Sequence, residues 1–206
     1  MDEIVLRSML KWPNVPSVYG WLRLDRRGRW AIRMPPAQGA GDTEPRFDRI
    51  VNPAMIEFIG RNYSHDAEGR YFFQNGPQRV YVALEYTPWI YGLDGSGRAL
   101  VAHTGVSAGS PNAAYFDERG GLVLACEPGV GVVLDRDLAV IAERFADRAG
   151  HALAPETLLE QARAGQGVEA RLMGADLTVS SIRSGELAAR FGFVPRPVPP
   201  EGQPDC

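Results

Sequence analysis

Residues 69 to 93, Gly-Arg-Tyr-Phe-Phe-Gln-Asn-Gly-Pro-Gln-Arg-Val-Tyr-Val-Ala-Leu-Glu-Tyr-Thr-Pro-Trp-Ile-Tyr-Gly-Leu, leave the chain little choice but β-sheet. Aromatic and β-branched side chains dominate the run, and they suit a pleated, half-buried surface. Asn75-Gly76 is a tight-turn dipeptide, because both residues tolerate positive φ. From Arg79 to Glu85 the chain alternates. Val80, Val82 and Leu84 point one way, and Arg79, Tyr81, Ala83 and Glu85 the other. This pattern predicts a hairpin followed by a third strand, with the rest of the fold packed around that sheet.

Short strands continue on both sides. Val18–Leu24 and Arg29–Met34 form a hairpin around Asp25-Arg26-Arg27-Gly28. Pro35 to Pro45 is a loop of Pro, Gly and small residues, expected to be exposed and mobile. Asn52-Pro53 opens the clearest helix: Asn52 can accept from free backbone N–H groups, and Pro53 suits the first helical position. Met55, Ile56, Phe58, Ile59 and Tyr63 follow at helical spacing. Beyond Leu93, Asp94-Gly95-Ser96-Gly97 turns the chain into Arg98–Thr104. Strands are expected again at 113–116, 122–126 and 130–134. About eight strands joined by Gly-rich turns favour an antiparallel barrel or sandwich over βαβ units.

The last third changes character. Helices are expected at 137–148, 155–164 and 184–191, and strands at 168–173 and 177–180. No internal repeat of fixed period is evident. In 1–17, Pro13 and Pro16 break any helix that Ile4 to Leu10 might start, so the segment reads as irregular. Five prolines from Pro195 onward predict a disordered tail, 195–206. Residues 18–194 then form one α+β region, or two closely packed subdomains dividing near 94–112.

The chain has 206 residues and a net charge of -3, which argues against nucleic acid or an anionic membrane as the main partner. Arg23, Arg26, Arg27, Arg29 and Arg33 do cluster locally, and a solvated hairpin edge explains them. Cys126 lies in an apolar strand and Cys206 at the end, so no disulfide framework is expected. The start of the sequence lacks the pattern of a signal peptide. No apolar run reaches the ~18 residues of a membrane helix. The expectation is a bacterial cytoplasmic protein.

Gly105-Val106-Ser107-Ala108-Gly109 matches the G-x-S-x-G nucleophile elbow, and Asp117, Asp135 or Asp137 and then His151 follow in hydrolase order. That chemistry needs a helix directly after Ser107, yet Pro111 follows at once. A turn between strands is the favoured reading, and a small serine hydrolase using Ser107 and His151 is the alternative. His65, His103 and His151 show no metal-ligand spacing, and Cys126 reads as a buried, inert thiol. Phosphate-binding glycine loops are absent. No cofactor, no metal and no catalytic residue is expected.

The aromatic set is more suggestive. Tyr81 shares a face with Arg79, and Tyr19 and Trp21 share one with Arg23, as an amphipathic cleft would. The ligand-binding candidates are Arg79, Tyr81, Trp89 and Tyr91. The feature order also resembles a known group of proteins. A Trp-containing strand precedes Met-Ile-Glu-Phe-Ile (55 to 59). Gly-Arg-Tyr (69 to 71) leads into Glu-Tyr-Thr-Pro-Trp (85 to 89), and Val168-Glu-Ala-Arg-Leu172 precedes a last helix. This is similar to the proteobacterial domain-of-unknown-function proteins whose sheet resembles a pleckstrin-homology (PH) barrel. The resemblance implies an α+β, PH-like antiparallel barrel or paired sheets with flanking helices. It also implies a role in binding or signalling, with a small-molecule ligand or a protein as partner. A self-associating homodimer is the remaining reading.

Overall fold

A computed structural model of the chain describes residues 1–35 and 45–202. Most of the expected 35–45 loop, the last residues of the expected tail and Cys206 lie outside the described residues. The predicted first hairpin is present as β1 (Val18–Leu24) and β2 (Trp30–Arg33), extended by a short third strand, β3 (Phe47–Arg49). The Asn52-Pro53 helix follows as α2 (Pro53–Arg61), with the Asn52 side chain accepting from the Met55 N–H at 3.2 Å. A second three-stranded meander then runs through β4 (Tyr63–His65), β5 (Tyr71–Asn75) and β6 (Gln78–Leu84). The six strands make one sheet in the order β3-β2-β1-β6-β5-β4.

The two meanders meet through β1 and β6, which pair parallel: Leu22 faces Val82 and Leu24 faces Leu84. These residues and Trp30 share one face and are buried. The helix α2 packs on β5 of that side, with Phe58 set edge-on against Phe73 at 5.4 Å. Trp30 meets Tyr63 the same way at 5.3 Å. Met1–Glu85 and the stretch from Gly192 onward form one compact unit, and Tyr86–Phe191 the other.

The second unit repeats this plan. Its elements are β7 (Trp89–Leu93), β8 (Leu100–Ala102), β9 (Ala113–Phe116), β10 (Leu122–Cys126), β11 (Gly129–Val133), α3 (Asp135–Ala142), β12 (Phe145–Ala146), α4 (Pro155–Arg163), β13 (Val168–Leu172), β14 (Ala175–Ser181), a 3₁₀ turn at Ser184–Glu186 and α5 (Leu187–Phe191). The sheet runs β12-β13-β14-β9-β10-β11-β7-β8. Read from β11 to β12, this is the order of the first sheet: three antiparallel strands, a helix, three more strands, and a parallel seam between first and last. The hairpin β7–β8 is added by a parallel contact with β11, and α4 is inserted between β12 and β13.

One turn recurs in both units. Asp25, Asp66, Asp94, Asp117 and Asp147 each accept at the main-chain oxygen from the N–H of the glycine three residues on. Those glycines, 28, 69, 97, 120 and 150, all have positive φ, between 68° and 89°. The aspartate Oδ1 then accepts the following backbone N–H groups, as from Arg27 and Arg29 to Asp25, or Arg119 and Gly121 to Asp117. This is a type I turn followed by a left-handed residue, which suits the twist of a hairpin.

Three expectations change. The sheets are mixed, not antiparallel, because the seams join strands far apart in sequence that no turn announces. The chain contains a duplicated topology although no period shows in the sequence, because turn chemistry and strand order recur while side chains and insert lengths do not. The segment 1–17 holds a helix, α1 (Glu3–Lys11), which ends before Pro13, where proline no longer interrupts it. Asp2 anchors it, donating its N–H to Asn62 at 2.8 Å and pairing with Arg61 at 3.2 Å.

The first prolines of the C-terminal segment are held by the first sheet. Val194 N–H donates to the Gly69 carbonyl, Leu84 N–H donates to that of Pro195, and Pro197 is buried. Gly69 carries φ +74°, and a Cβ there would lie 1.9 Å from the Gly192 carbonyl oxygen. Gly69→Ala is therefore expected to cost about 2 kcal/mol or more, by strain and clash together. Gly95→Ala, a position with open space, should cost far less. Urea unfolding of the two variants makes the comparison.

Candidate functional site

The face of the first sheet opposite α2 carries arginines between aromatic rings. The register sets Arg49 beside Ala31, Ala31 beside Arg23, and Arg23 beside Ala83. Next to that row, Phe47 pairs with Arg33, whose guanidinium lies 5.9 Å from the Trp21 ring. The Arg23 guanidinium lies 5.9 Å from the Phe47 ring. Strands sit ~4.8 Å apart, so Arg49 and Arg23 flank Ala31 at roughly 10 Å, with only a methyl group between them.

A cleft of about 300 Å³ opens here, lined by Arg23, Arg29, Arg49 and Phe47, with Asp25 and Glu85 among its acids. Arg29 is engaged by Asp25, which orders the turn. Arg23 meets Glu85 at 3.5 Å, with both side chains about 45% exposed. Such a solvated pair is weak and easily exchanged. Arg49 is exposed and makes no ion pair among the described residues. Guanidinium groups bind carboxylates and phosphates in a planar, two-point manner, and neighbouring rings favour ligands with a flat apolar body. The sequence marks Arg23, Arg29 and Arg33 but assigns them to a hairpin edge. The strand β1 is central, so Arg23 projects from the middle of the sheet. Phe47 and Arg49 went unmarked because β3 has three residues, too few for alternation to show.

The four expected ligand-binding residues fall in two different sheets. Arg79 and Tyr81 lie on β6, on the same side as Arg23, but within a closed cluster. Tyr81 is 3% exposed and stacks on Tyr19 at 4.6 Å. Its hydroxyl donates to Asp66 Oδ2 at 2.9 Å, Arg70 covers its ring, and Arg79 lies over Phe72. Burial, and then Asp66, raise the Tyr81 hydroxyl above its ordinary pKa. Burial also acts to raise Asp66, but hydrogen bonds from Arg70 and Tyr81 bring it below the usual carboxylate value. Trp89 and Tyr91 lie on β7 of the other unit, both buried. The Tyr91 hydroxyl donates to the Gly129 carbonyl at 2.8 Å. Beside them Thr87 donates to the Trp89 carbonyl and accepts from Val132 N–H, tying β7 to β11.

The elbow geometry needed by Ser107 is not built. After β8, Ser107 makes an isolated bridge with Val101, and the next element is β9, not a helix. His151 sits in the Asp147 turn, its Nδ1 3.0 Å from Asp147 Oδ2. The His103 ring is enclosed beside Trp89, and burial pushes its pKa down to about 3. Burial pushes the Cys126 thiol up to about 12. Among the described residues no group of His, Cys, Asp and Glu is placed to hold a metal. No helix among them is long and apolar enough to cross a membrane.

With two mixed sheets of duplicated topology and an arginine-aromatic face, the molecule is an α+β protein. The chain belongs to the DUF2944 family, described as "Protein of unknown function (DUF2946)", whose model matches residues 1–198. No curated protein matches. Among solved structures, a DUF1285 family protein from Silicibacter pomeroyi DSS-3 is similar, with 15% identity over 82% of this chain and 85% of that one, and a TM-score of 0.48.

Two groups give direct checks. Cys126 should resist a thiol reagent at pH 8 in the folded protein and react in urea, as peptide mass spectrometry of the labelled protein reads. Since the folded pKa of His103 lies below its ordinary 6.5, its contribution to stability is complete above about 6.5 and is lost as pH falls towards about 3. Between pH 6.5 and 5.5 the loss should approach about 1 kcal/mol. Urea midpoints across that range should slope less in His103→Gln than in the parent.

Proposed function

We propose that the protein is a non-catalytic binding module whose ligand is a small anion with a flat apolar body, held by Arg23 and Arg49 against Phe47. The observation that carries the reading is the Arg49–Ala31–Arg23 row, exposed on a sheet face, with Arg49 lacking an ion pair among the described residues. The cleft charges favour an anion: Arg23, Arg29 and Arg49 stand against Asp25 and Glu85. The binding and signalling role implied by the resemblance to PH-like proteins points the same way. Arg79 and Tyr81 support this face from its closed side, fixing β6 next to Arg23.

Calorimetric titration with phosphate, benzoate, phenyl phosphate and adenosine monophosphate tests the reading. Phenyl phosphate and adenosine monophosphate should bind more tightly than phosphate, and added salt should weaken them. Arg49→Gln and Arg23→Gln should each lower affinity about tenfold, the scale of one hydrogen bond to a charged group. No binding by any probe, or binding indifferent to both variants, would refute the site.

A further inference from the structure

The second unit has a cleft at the place that corresponds to the first. In the first unit the parallel seam ends where Glu85 N–H donates to the Leu24 carbonyl, next to the Asp25 turn. In the second, Ile182 N–H donates to the Phe116 carbonyl, next to the Asp117 turn. Both clefts therefore lie at the carboxyl ends of a central parallel pair, where the strand order reverses. Ligands favour this position in open sheets with parallel strands.

The chemistry of the second cleft differs. It measures about 340 Å³, and its charged lining is Arg163, Arg183, Asp117, Glu118 and Glu186, with the Asp117 carboxylate taken up by the Tyr86 hydroxyl and by the Arg119 and Gly121 N–H groups. This is the small end of the ~300–1,000 Å³ range of ligand pockets. Opposite charges share the space, yet Arg163, Arg183, Glu118 and Glu186 form no ion pair with one another. Elsewhere on the surface arginines meet acids directly, as Arg70 meets Asp66 and Glu68, and Arg171 meets Asp176. The acids are held by other groups. Glu118 accepts from the Ser184 hydroxyl and, at 2.8 Å, from its N–H. Those Ser184 bonds bring the Glu118 pKa down to about 2, so it is charged at neutral pH. Glu186 accepts from Arg183 N–H through one oxygen, Oε2. The two guanidinium groups and the second Glu186 oxygen are left to face the cleft.

We infer that this cleft is a second binding site, for a small zwitterion of the α-amino-acid class, its carboxylate taken by Arg163 and Arg183 and its ammonium by the second oxygen of Glu186. A simple anion would meet the carboxylates, and a simple cation two guanidinium groups. A molecule carrying both charges satisfies both sides. The site is independent of the arginine-aromatic face of the first unit, and each can fail without the other.

The test is calorimetric titration of the full chain with the twenty L-α-amino acids at low ionic strength, followed by the N-acetyl and amide forms of any that bind. At least one free amino acid should bind, and blocking either charge should weaken it about tenfold or more. Arg163→Gln and Arg183→Gln should weaken it to a similar degree and leave phenyl phosphate binding by the other cleft unchanged. If circular dichroism shows Arg183→Gln unfolded, Arg163→Gln decides alone, since Arg163 is exposed near the end of α4. Absence of binding by all twenty would overturn the inference. So would binding that survives blocking of either charge, or that is unchanged in the folded variants.

Discussion

The pairing of first strand with last holds each unit together. In the first unit β1 runs parallel to β6, and Val18 faces Val80. Closing a loop of that length costs about 4 kcal/mol in chain entropy. The seam buries Leu22, Leu24, Val82 and Leu84, each at most 4% exposed. Burial of such side chains contributes about 1.5–3 kcal/mol apiece, so apolar burial exceeds the closure cost. Without the seam, each half would be a separate three-stranded meander with one face poorly covered. The second unit uses the same device between β9 and β14, with Ala114 and Val179 fully buried on it.

The turns are the local counterpart of the seams. An aspartate accepts several backbone N–H groups, and a glycine takes the positive φ that closes the bend. Each turn is complete within five or six residues, so it forms without tertiary help. In two of them the second carboxylate oxygen reaches a tyrosine of the surrounding fold, Tyr81 on Asp66 and Tyr86 on Asp117. The Tyr81 hydroxyl, a ligand-binding candidate in the sequence, and that of Tyr86 join turns to sheets.

The candidate sites follow from the seams. Where a parallel pair ends and neighbouring strands diverge, the backbone leaves a cleft, and side chains from separate segments line it. Arg23 comes from β1, Arg49 from β3 and Glu85 from the residue after β6. Arg163, Glu118 and Arg183 are likewise contributed by a helix, a turn and the second residue after a strand. The duplicated plan gives position, and substitution gives each cleft a different balance of charge.

The sequence by itself determined what short-range physics controls. Alternation from Arg79 to Glu85 marks β6, Asn52-Pro53 marks the start of α2, and Asp25 to Gly28 marks a turn, because each signal is complete within a few residues. It also marked Cys126 as a buried thiol, and Arg23, Arg29 and Arg33 as a cluster. Tertiary structure alone decided that β1 is central and parallel to β6, that the plan occurs twice, and that α1 docks through Asp2 on Asn62 and Arg61. It also decided that Arg49 stands across Ala31 from Arg23, while Tyr81 and Tyr91 turn inward. The reason is physical. Strand propensity and turn chemistry act between near neighbours, whereas parallel registry and the lining of a cleft depend on which distant surfaces bury one another.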